Sequence, residues 1–269
     1  MRIKLKASRV LRRFMPRHIA KTCATRQAMR RFADRAGLVY FGYANQHDDD
    51  HRLVRGHTVS HTHIDDYLCI GTIRGYDTTV LQRRDTIRVR QGQSHKYKNQ
   101  RCHWLIATVD LHTERPLPHI YIGMKRTDPI YQSSYSALQP LILGATARYL
   151  QAFLNKYNIY GAATRAIEIE SIISPQAAEV IVSHFDKINI EIERNTVYLY
   201  TENERPTEVQ IEKLVSNALW LAEVIDTVYR TYRNLYDTVR DHRFGDFQKA
   251  GFFCCGKLRY GFFHPIPPI

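Results

Sequence analysis

The chain has 269 residues, of which 44% are hydrophobic and 24% are charged, and its formal net charge is +13. This balance is ordinary for a globular protein, and it excludes a collagen-like, low-complexity or wholly disordered chain. The sequence contains no run of about 18 consecutive apolar residues, so an ordinary transmembrane helix is not predicted.

The positive charge is concentrated at the N-terminus. Residues 1–36 contain twelve of the 39 Lys and Arg residues but only one of the 26 acidic residues, Asp34, so the rest of the chain is nearly neutral. Apolar residues spaced one helical turn apart lie between the basic ones. The segment is therefore predicted to form two basic amphipathic helices, divided at Pro16 and ended at Gly37.

The segment 38–125 contains β-branched and aromatic runs that predict strands. Gly75 separates two of these runs and predicts a tight hairpin, and a polar, basic loop is predicted over 90–102. A second strand pair is expected on either side of Pro116 and Pro118, because proline cannot lie in a central strand. The predicted strands span 38–43, 67–74, 76–81, 104–111 and 119–124.

The middle of the chain has weaker signals. Residues 126–147 are predicted to be loop-like, and the pattern of 149–161 fits either a helix or a strand. Residues 168–173 are predicted to be extended. Ser174 followed by Pro175 is typical of a helix N-terminus, since serine caps the helix and proline suits its first position.

The last two predicted elements are a hairpin and a long helix. Residues 188–193 and 196–201 flank the two-residue turn Arg194–Asn195, which predicts a β-hairpin. Thr207 and Gln210 form a capping box, and an apolar stripe about thirty residues long follows it.

The order of these elements predicts the fold class. Helices and strands do not alternate regularly, so the sequence favours an α+β fold with a mainly antiparallel sheet, N-terminal basic amphipathic helices and a long C-terminal helix. The predicted domains are a basic helical arm at 1–36, an α+β domain at 37–243 with a sub-boundary near 126–147, and an aromatic, proline-rich tail at 244–269.

Three short motifs occur in order along the chain: Gly71-Thr-Ile-Arg-Gly75 at the predicted hairpin, Leu117-Pro118 at a strand end and Ile173-Ser174-Pro175 at a helix start. Over roughly residues 30–225 this order resembles a loose group of uncharacterised bacterial α+β proteins. The resemblance implies the same fold and a non-catalytic module, and the group has no assigned activity.

Residues 47–66 hold the densest group of ionisable side chains, because ten of these twenty residues are His or Asp. Two histidines that are two positions apart on a strand project to the same side, and imidazole with carboxylate suits a divalent transition metal. The segment predicts either a metal site, and with it a metal-dependent hydrolase, or a solvated loop. The candidate ligands are His57, His61, His63 and Asp65.

The basic N-terminal arm is the second candidate site. A basic amphipathic helix binds an anionic membrane surface when its apolar residues enter the interface and its cations face the headgroups. Nucleic acid would attract the same charge, and a helix docked on the domain or an organellar transit peptide are further interpretations. The residues predicted to bind are Arg9, Arg12, Arg13, Arg17 and Lys21 through charge, and Leu11 and Phe14 through insertion.

A second basic stretch, 83–101, supports the nucleic-acid alternative, because aromatic residues between cations can stack on bases. A hairpin loop has the same composition. The candidate nucleic-acid-binding residues in this stretch are Arg84, Arg88, Arg90, Lys96 and Lys98.

No glycine-rich nucleotide-binding motif, nucleophile elbow or zincin motif occurs in the sequence. The leading hypothesis is a non-enzymatic binding module without a cofactor, peripherally associated with an anionic membrane surface. Five cysteines without Cys-x-x-Cys spacing favour the cytoplasm, or an organellar matrix if the arm is a transit peptide. Contact with a protein partner or a second copy of the chain is one interpretation of the long helix or the aromatic tail, and packing against the body is the other.

Overall fold

The computed structural model describes residues 17–43, 64–90, 97–126, 138–144 and 148–241. The helices in this part are α1 (Arg17–Ala36), α2 (Gln151–Lys156), α3 (Ala166–Ile172), α4 (Pro175–His184) and α5 (Glu208–Asp241). The strands are β1 (Val39–Tyr43), β2 (Ile64–Ile73), β3 (Tyr76–Arg90), β4 (Tyr97–Asp110), β5 (Leu117–Met124), β6 (Gln139–Leu141), β7 (Tyr157–Gly161), β8 (Ile188–Arg194) and β9 (Thr196–Glu202).

The strands form one antiparallel sheet with the order β1-β2-β3-β4-β9-β8-β5-β7-β6. Together with the helices, this sheet confirms the predicted α+β fold. Two predicted hairpins are also confirmed, and each has a residue of positive φ at its turn, Gly75 at 83° and Arg194 at 56°. Glycine adopts this backbone region without the penalty that a Cβ atom imposes.

The helices pack on one face of the sheet. α1 contacts β1 and β2, α5 contacts β4 and β9, and α3 contacts β5. Met29 and Phe32 of α1 and Ile225 of α5 are fully buried in this core. The opposite face carries a second cluster of buried side chains. Its largest fully buried members are Trp104, Tyr121 and Tyr200. The sheet is therefore buried on both faces along its central strands.

The helix ends follow the predicted capping chemistry. The Ser174 side chain accepts a hydrogen bond from the backbone N–H of Ala177 at 3.2 Å, so the predicted start of α4 is confirmed. The Thr207 hydroxyl accepts from the backbone N–H of Gln210 at 3.3 Å, and the Gln210 side chain accepts from the Thr207 N–H at 2.9 Å, which confirms the capping box. Gly37 follows α1 with φ of 72°, as expected for a helix C-cap.

The prediction of a basic loop over 90–102 is wrong for the second half of this range. β4 begins at Tyr97, and the backbone pairs with β3 in the register Tyr97–Arg90 and Cys102–Asp85. Cations spaced along a strand do not prevent pairing, because successive side chains leave the sheet on opposite faces. The two long strands therefore extend the hairpin well past the predicted strand end at residue 81.

The predicted strand pair 104–111 with 119–124 is also wrong, although both strands exist. β4 pairs with β3 and β9, while β5 pairs with β7 and β8. The β8–β9 hairpin lies between them in the sheet. Sequence neighbours often pair, but a hairpin from later in the chain fills this position instead.

Residues 168–173 were expected to be extended, but most of them form α3. The alternation of isoleucine and glutamate in this short run fits a strand as well as a helix. In the structure Ile169 and Ile172 are buried one helical turn apart, and Arg165 forms an ion pair with Glu168 across the start of the helix. The ambiguous segment 149–161 contains both elements, α2 followed by β7.

Residues 1–16 and the tail 244–269 lie outside the described residues, as do 127–137 and 145–147 within the predicted sub-boundary. The domain boundaries therefore stay predictions. β6, between the two gaps, pairs with β7 at the edge of the same sheet.

Candidate functional site

The second half of the predicted basic arm is docked on the body of the protein. Met29, Phe32 and Ala33 of α1 are fully buried between the sheet and α5. Arg35 forms ion pairs with Glu208, at 2.7 Å, and with Glu212, both at the start of α5. This part of the arm matches the interpretation of a helix docked on the domain.

The first half of α1 contains Arg17 and Lys21, two of the residues predicted to bind a membrane or nucleic acid. Their side chains lie outside the described part, and so do Arg9, Leu11, Arg12, Arg13 and Phe14. Further along the helix Arg26 and Arg30 are exposed, and both lie near the phenol of Tyr40 on β1. Partial burial raises the pKa of Tyr40, and the positive charge of Arg26 opposes that rise.

β1 is an edge strand beside this helix. It pairs with β2 at one side, and Val39 and Phe41 are 58% and 46% exposed. Exposed apolar residues on an edge strand are a common feature of interaction surfaces. A helix with exposed arginines and a strand with exposed apolar side chains thus share one end of the sheet. We call this end of the sheet, with α1 on one face and the side chains of Val39 and Phe41 on the other, the basic edge.

The structure spreads the second set of predicted nucleic-acid-binding residues along the β3–β4 hairpin. Arg84 is 2.7 Å from Asp66 in an ion pair, and Lys98 is exposed in the register position opposite Val89. Because Val89 is five residues beyond Arg84 on β3, Arg84 and Lys98 are about 17 Å apart along the hairpin. Arg88 and Arg90 belong to β3, but their side chains and Lys96 lie outside the described part.

One of the four predicted metal ligands lies in the described part. Both oxygens of Asp65 accept hydrogen bonds from the Arg83 guanidinium at 2.6 Å, and both side chains are buried. The structure therefore shows this carboxylate in an ion pair. His57, His61 and His63 lie outside the described residues.

A histidine–carboxylate cluster that the sequence analysis did not identify lies on the sheet face away from the helices. His119 on β5 contacts Glu191 on β8 at 2.6 Å, and the hydroxyl of Tyr200 on β9 donates to the other Glu191 oxygen at 2.8 Å. Burial disfavours a charged imidazole, but the hydrogen bond and the charge of Glu191 outweigh it and raise the pKa of His119. We call His119, Glu191 and Glu193 the His–Glu cluster.

A groove of about 840 Å³ opens on another side of the molecule. Its walls are the β4–β5 connection, the short 3-10 turn Ala163–Arg165, α3 and the middle of α5. In one wall Glu168 accepts two hydrogen bonds at 2.7 Å from Arg165 and one at 2.9 Å from the hydroxyl of Tyr229. The Arg165 hydrogen bonds are the main cause of the lowered pKa of Glu168.

Asp226 of α5 also lines the groove, and its two carboxylate oxygens accept hydrogen bonds from the backbone N–H of His112 at 3.2 Å. The His112 ring stacks on Tyr76 with 4.3 Å between the ring centroids. Burial, and next the hydrogen bond with Asp226, raise the pKa of Tyr76 to about 12. Asp226 and Glu168 thus both accept hydrogen bonds from donors of the protein itself.

In the described part of the chain, the fold and its sites define an α+β protein with a nine-stranded antiparallel sheet, helices on one face and a groove between the helices and a strand connection. No protein-family model matches the chain, and no curated protein matches its sequence significantly. A solved structure that it resembles is the crystal structure of the mycobacterial trehalose monomycolate transport factor A, TtfA, with a TM-score of 0.52. The match covers 77% of this chain and 95% of that chain at 10% sequence identity, so the likeness concerns the fold.

A helix that spans a bilayer needs about 20 predominantly apolar residues, and in the described part of the chain α1 and α5 reach that length. In that part of the chain no helix combines the length and the hydrophobicity needed to cross a membrane.

Proposed function

We propose that this protein is a non-enzymatic binding module that associates peripherally with an anionic membrane surface through its basic N-terminal arm. The observation that carries the proposal is the anchoring of α1. Its C-terminal half is held in the core by Met29, Phe32 and Ala33, while the same helix continues back to Arg17. The basic residues at its start are therefore attached to the sheet by a continuous helix.

The charge of the arm is large enough for reversible membrane binding. Each basic residue near an anionic lipid surface contributes about 1 kcal/mol, and the arm offers several such residues together. Leu11 and Phe14 add apolar groups that enter the interface. The residues assigned to the electrostatic part are Arg9, Arg12, Arg13, Arg17 and Lys21.

The basic edge supports this orientation. Val39 and Phe41 are exposed at the end of the sheet where α1 lies, and Arg26 and Arg30 are exposed on the helix itself. Seen edge-on, β1 carries these apolar side chains on one face of the sheet and the α1 arginines lie on the other, and both kinds of group suit the headgroup region of a bilayer. The proposal therefore places the sheet edge at β1 toward the membrane.

Two observations favour binding over catalysis. Two carboxylates that line the groove, Glu168 and Asp226, each accept hydrogen bonds from donors of the protein. The structural neighbour TtfA is named for the transport of trehalose monomycolate and not for a reaction, which supports a binding role for this fold.

The proposal is tested by sedimenting the full chain with vesicles that contain phosphatidylserine. In the test variant the five cations of the arm are replaced by glutamine; in the matched control five exposed cations elsewhere are replaced, so that the net charge falls equally. We expect the test variant to lose at least about tenfold in membrane partitioning, and the control to lose much less. Equal losses in both variants would contradict the proposal. The control residues are Lys125, Arg126, Arg148, Lys187 and Arg205.

A further inference from the structure

The His–Glu cluster has the composition and the spacing of a metal site. One ligand atom from each of His119, Glu191 and Glu193 can be chosen so that all three lie within 4.8 Å of one another. From this geometry we infer that the cluster binds a divalent transition-metal ion, such as Zn²⁺, Mn²⁺ or Co²⁺. The inference goes beyond the proposed membrane function and does not depend on it.

The sheet brings the three ligands together. Glu191 and Glu193 are two positions apart on β8, so their side chains leave the same face of the sheet. β5 is the direct neighbour of β8, and the irregular register between Leu117 and Ile120 lies where His119 reaches Glu191. The donors therefore come from two adjacent, hydrogen-bonded strands, a more rigid support than a loop.

The donor set suits this class of ion. An imidazole nitrogen with two carboxylates is a set that Mn²⁺, Fe²⁺, Co²⁺ and Zn²⁺ accept, and three protein ligands leave a position open for water or another ligand. Two ligand atoms bound to one tetrahedral Zn²⁺ are about 3.4 Å apart. The His119 and Glu191 atoms are 2.6 Å apart, so the imidazole needs to move by less than about 1 Å to admit the ion.

Tyr200 orients the Glu191 carboxylate for metal binding. Its hydroxyl donates to one carboxylate oxygen at 2.8 Å and leaves the other oxygen directed at His119. A hydrogen bond of this kind fixes the orientation of a ligating carboxylate, as partners behind metal ligands commonly do. Glu191 is 1% exposed, and a buried carboxylate gains strongly from a nearby cation.

The cluster is also accessible from outside. The side chain of His119 is 35% exposed, and Glu193 is half-buried, while Glu191 lies beneath them. Tyr198 packs beside Tyr200 with their rings stacked at 6.3 Å, so the inner side of the site is aromatic. An ion can therefore enter from the His119 side.

The inference is tested on the full chain after removal of metal with a chelator. Co²⁺ is titrated into the protein and followed by its visible absorption, which reports coordination at a defined site, and Zn²⁺ is then used to displace it. The test variants are Glu193→Gln and His119→Gln, because both positions are accessible and leave the buried Glu191 in place. The matched controls are Glu179→Gln and His184→Gln, which change the same residue types at exposed positions of α4, outside the cluster.

We expect the native chain to bind one Co²⁺ at this site and each test variant to lose at least about tenfold in affinity, with the controls unchanged. Circular dichroism checks that every variant folds. Absence of a Co²⁺ spectrum at millimolar metal overturns the inference, and so does unchanged binding in the folded test variants. A third variant, with His57, His61 and His63 replaced by glutamine, separates the two metal hypotheses. Loss of the spectrum in that variant alone would also overturn the inference.

Discussion

Arg83 and Asp65 form a two-point ion pair in which Nε and Nη2 of the guanidinium each lie 2.6 Å from a carboxylate oxygen. The two residues face each other across β2 and β3, and both side chains are buried. One residue further along β3, Arg84 pairs with Asp66, but the Arg84 side chain is 51% exposed. The same two strands thus carry a buried pair and, beside it, a pair that water reaches from the Arg84 side.

The Arg83→Gln variant is expected to lower the free energy of unfolding by about 3–5 kcal/mol, because it leaves Asp65 buried without its ionic partner. Urea denaturation measures the loss. Arg84→Gln is the matched control, and it should cost less than about 1 kcal/mol, since an exposed pair is screened by water. Similar losses in the two variants would show that burial does not determine the strength of these pairs.

The helix cap at Ser174 offers a second prediction. Its hydroxyl accepts a hydrogen bond from the Ala177 N–H, so Ser174→Ala should lower the free energy of unfolding by about 1 kcal/mol. Ser183, later in the same helix, donates to the carbonyl of Glu179 at an exposed position. Ser183→Ala should therefore change stability by less than about 0.5 kcal/mol. If the two variants unfold at the same urea concentration, the cap contributes nothing.

The cysteines should differ in reactivity toward iodoacetamide. Burial raises the pKa of both the Cys69 and the Cys102 thiol to about 12, whereas Cys23 is exposed. Because the thiolate is the reactive form, Cys69 and Cys102 should remain unmodified in the folded protein at about pH 8. Peptide mass mapping after a short pulse measures each site. Labelling of Cys69 as fast as that of Cys23 would contradict the buried environment.

Glu168 is expected to make stability depend on pH in the acid range. Its pKa is lowered in the folded protein, mainly by the Arg165 hydrogen bonds, from the ordinary value of 4.5. The stabilisation is therefore present above that value and is lost as the pH falls through the lower, folded-state pKa. The difference in urea midpoint between the native chain and Glu168→Gln should shrink on acidification. A difference that stays constant with pH would show that the carboxylate's charge is not involved.

Local chemistry was sufficient to predict several elements. Gly75 indicated the β2–β3 hairpin, Ser174 with Pro175 indicated the start of α4, and Thr207 with Gln210 indicated the start of α5. In each case the signal and the structure it produces lie within a few residues. The α+β class then followed from the order of the elements.

Relationships between distant strands could not be predicted in this way. Asp65 appeared as a candidate metal ligand and Arg83 as part of a basic stretch, because nothing local indicates that the β2–β3 register places them opposite each other. His119 and Glu191 are further apart in sequence, and they meet only because β5 lies next to β8. The alternation in 188–193 did place Glu191 and Glu193 on one face, and that was the available signal for the His–Glu cluster.

The most direct test of the proposed membrane function is a competition flotation assay. The full chain is mixed with liposomes of increasing phosphatidylserine content, at low and at high salt, with and without excess double-stranded DNA and RNA. The account predicts that binding rises with anionic lipid, persists in part at high salt because Leu11 and Phe14 insert, and withstands the nucleic acid. Absence of binding at every lipid composition, or complete displacement by nucleic acid, would contradict it.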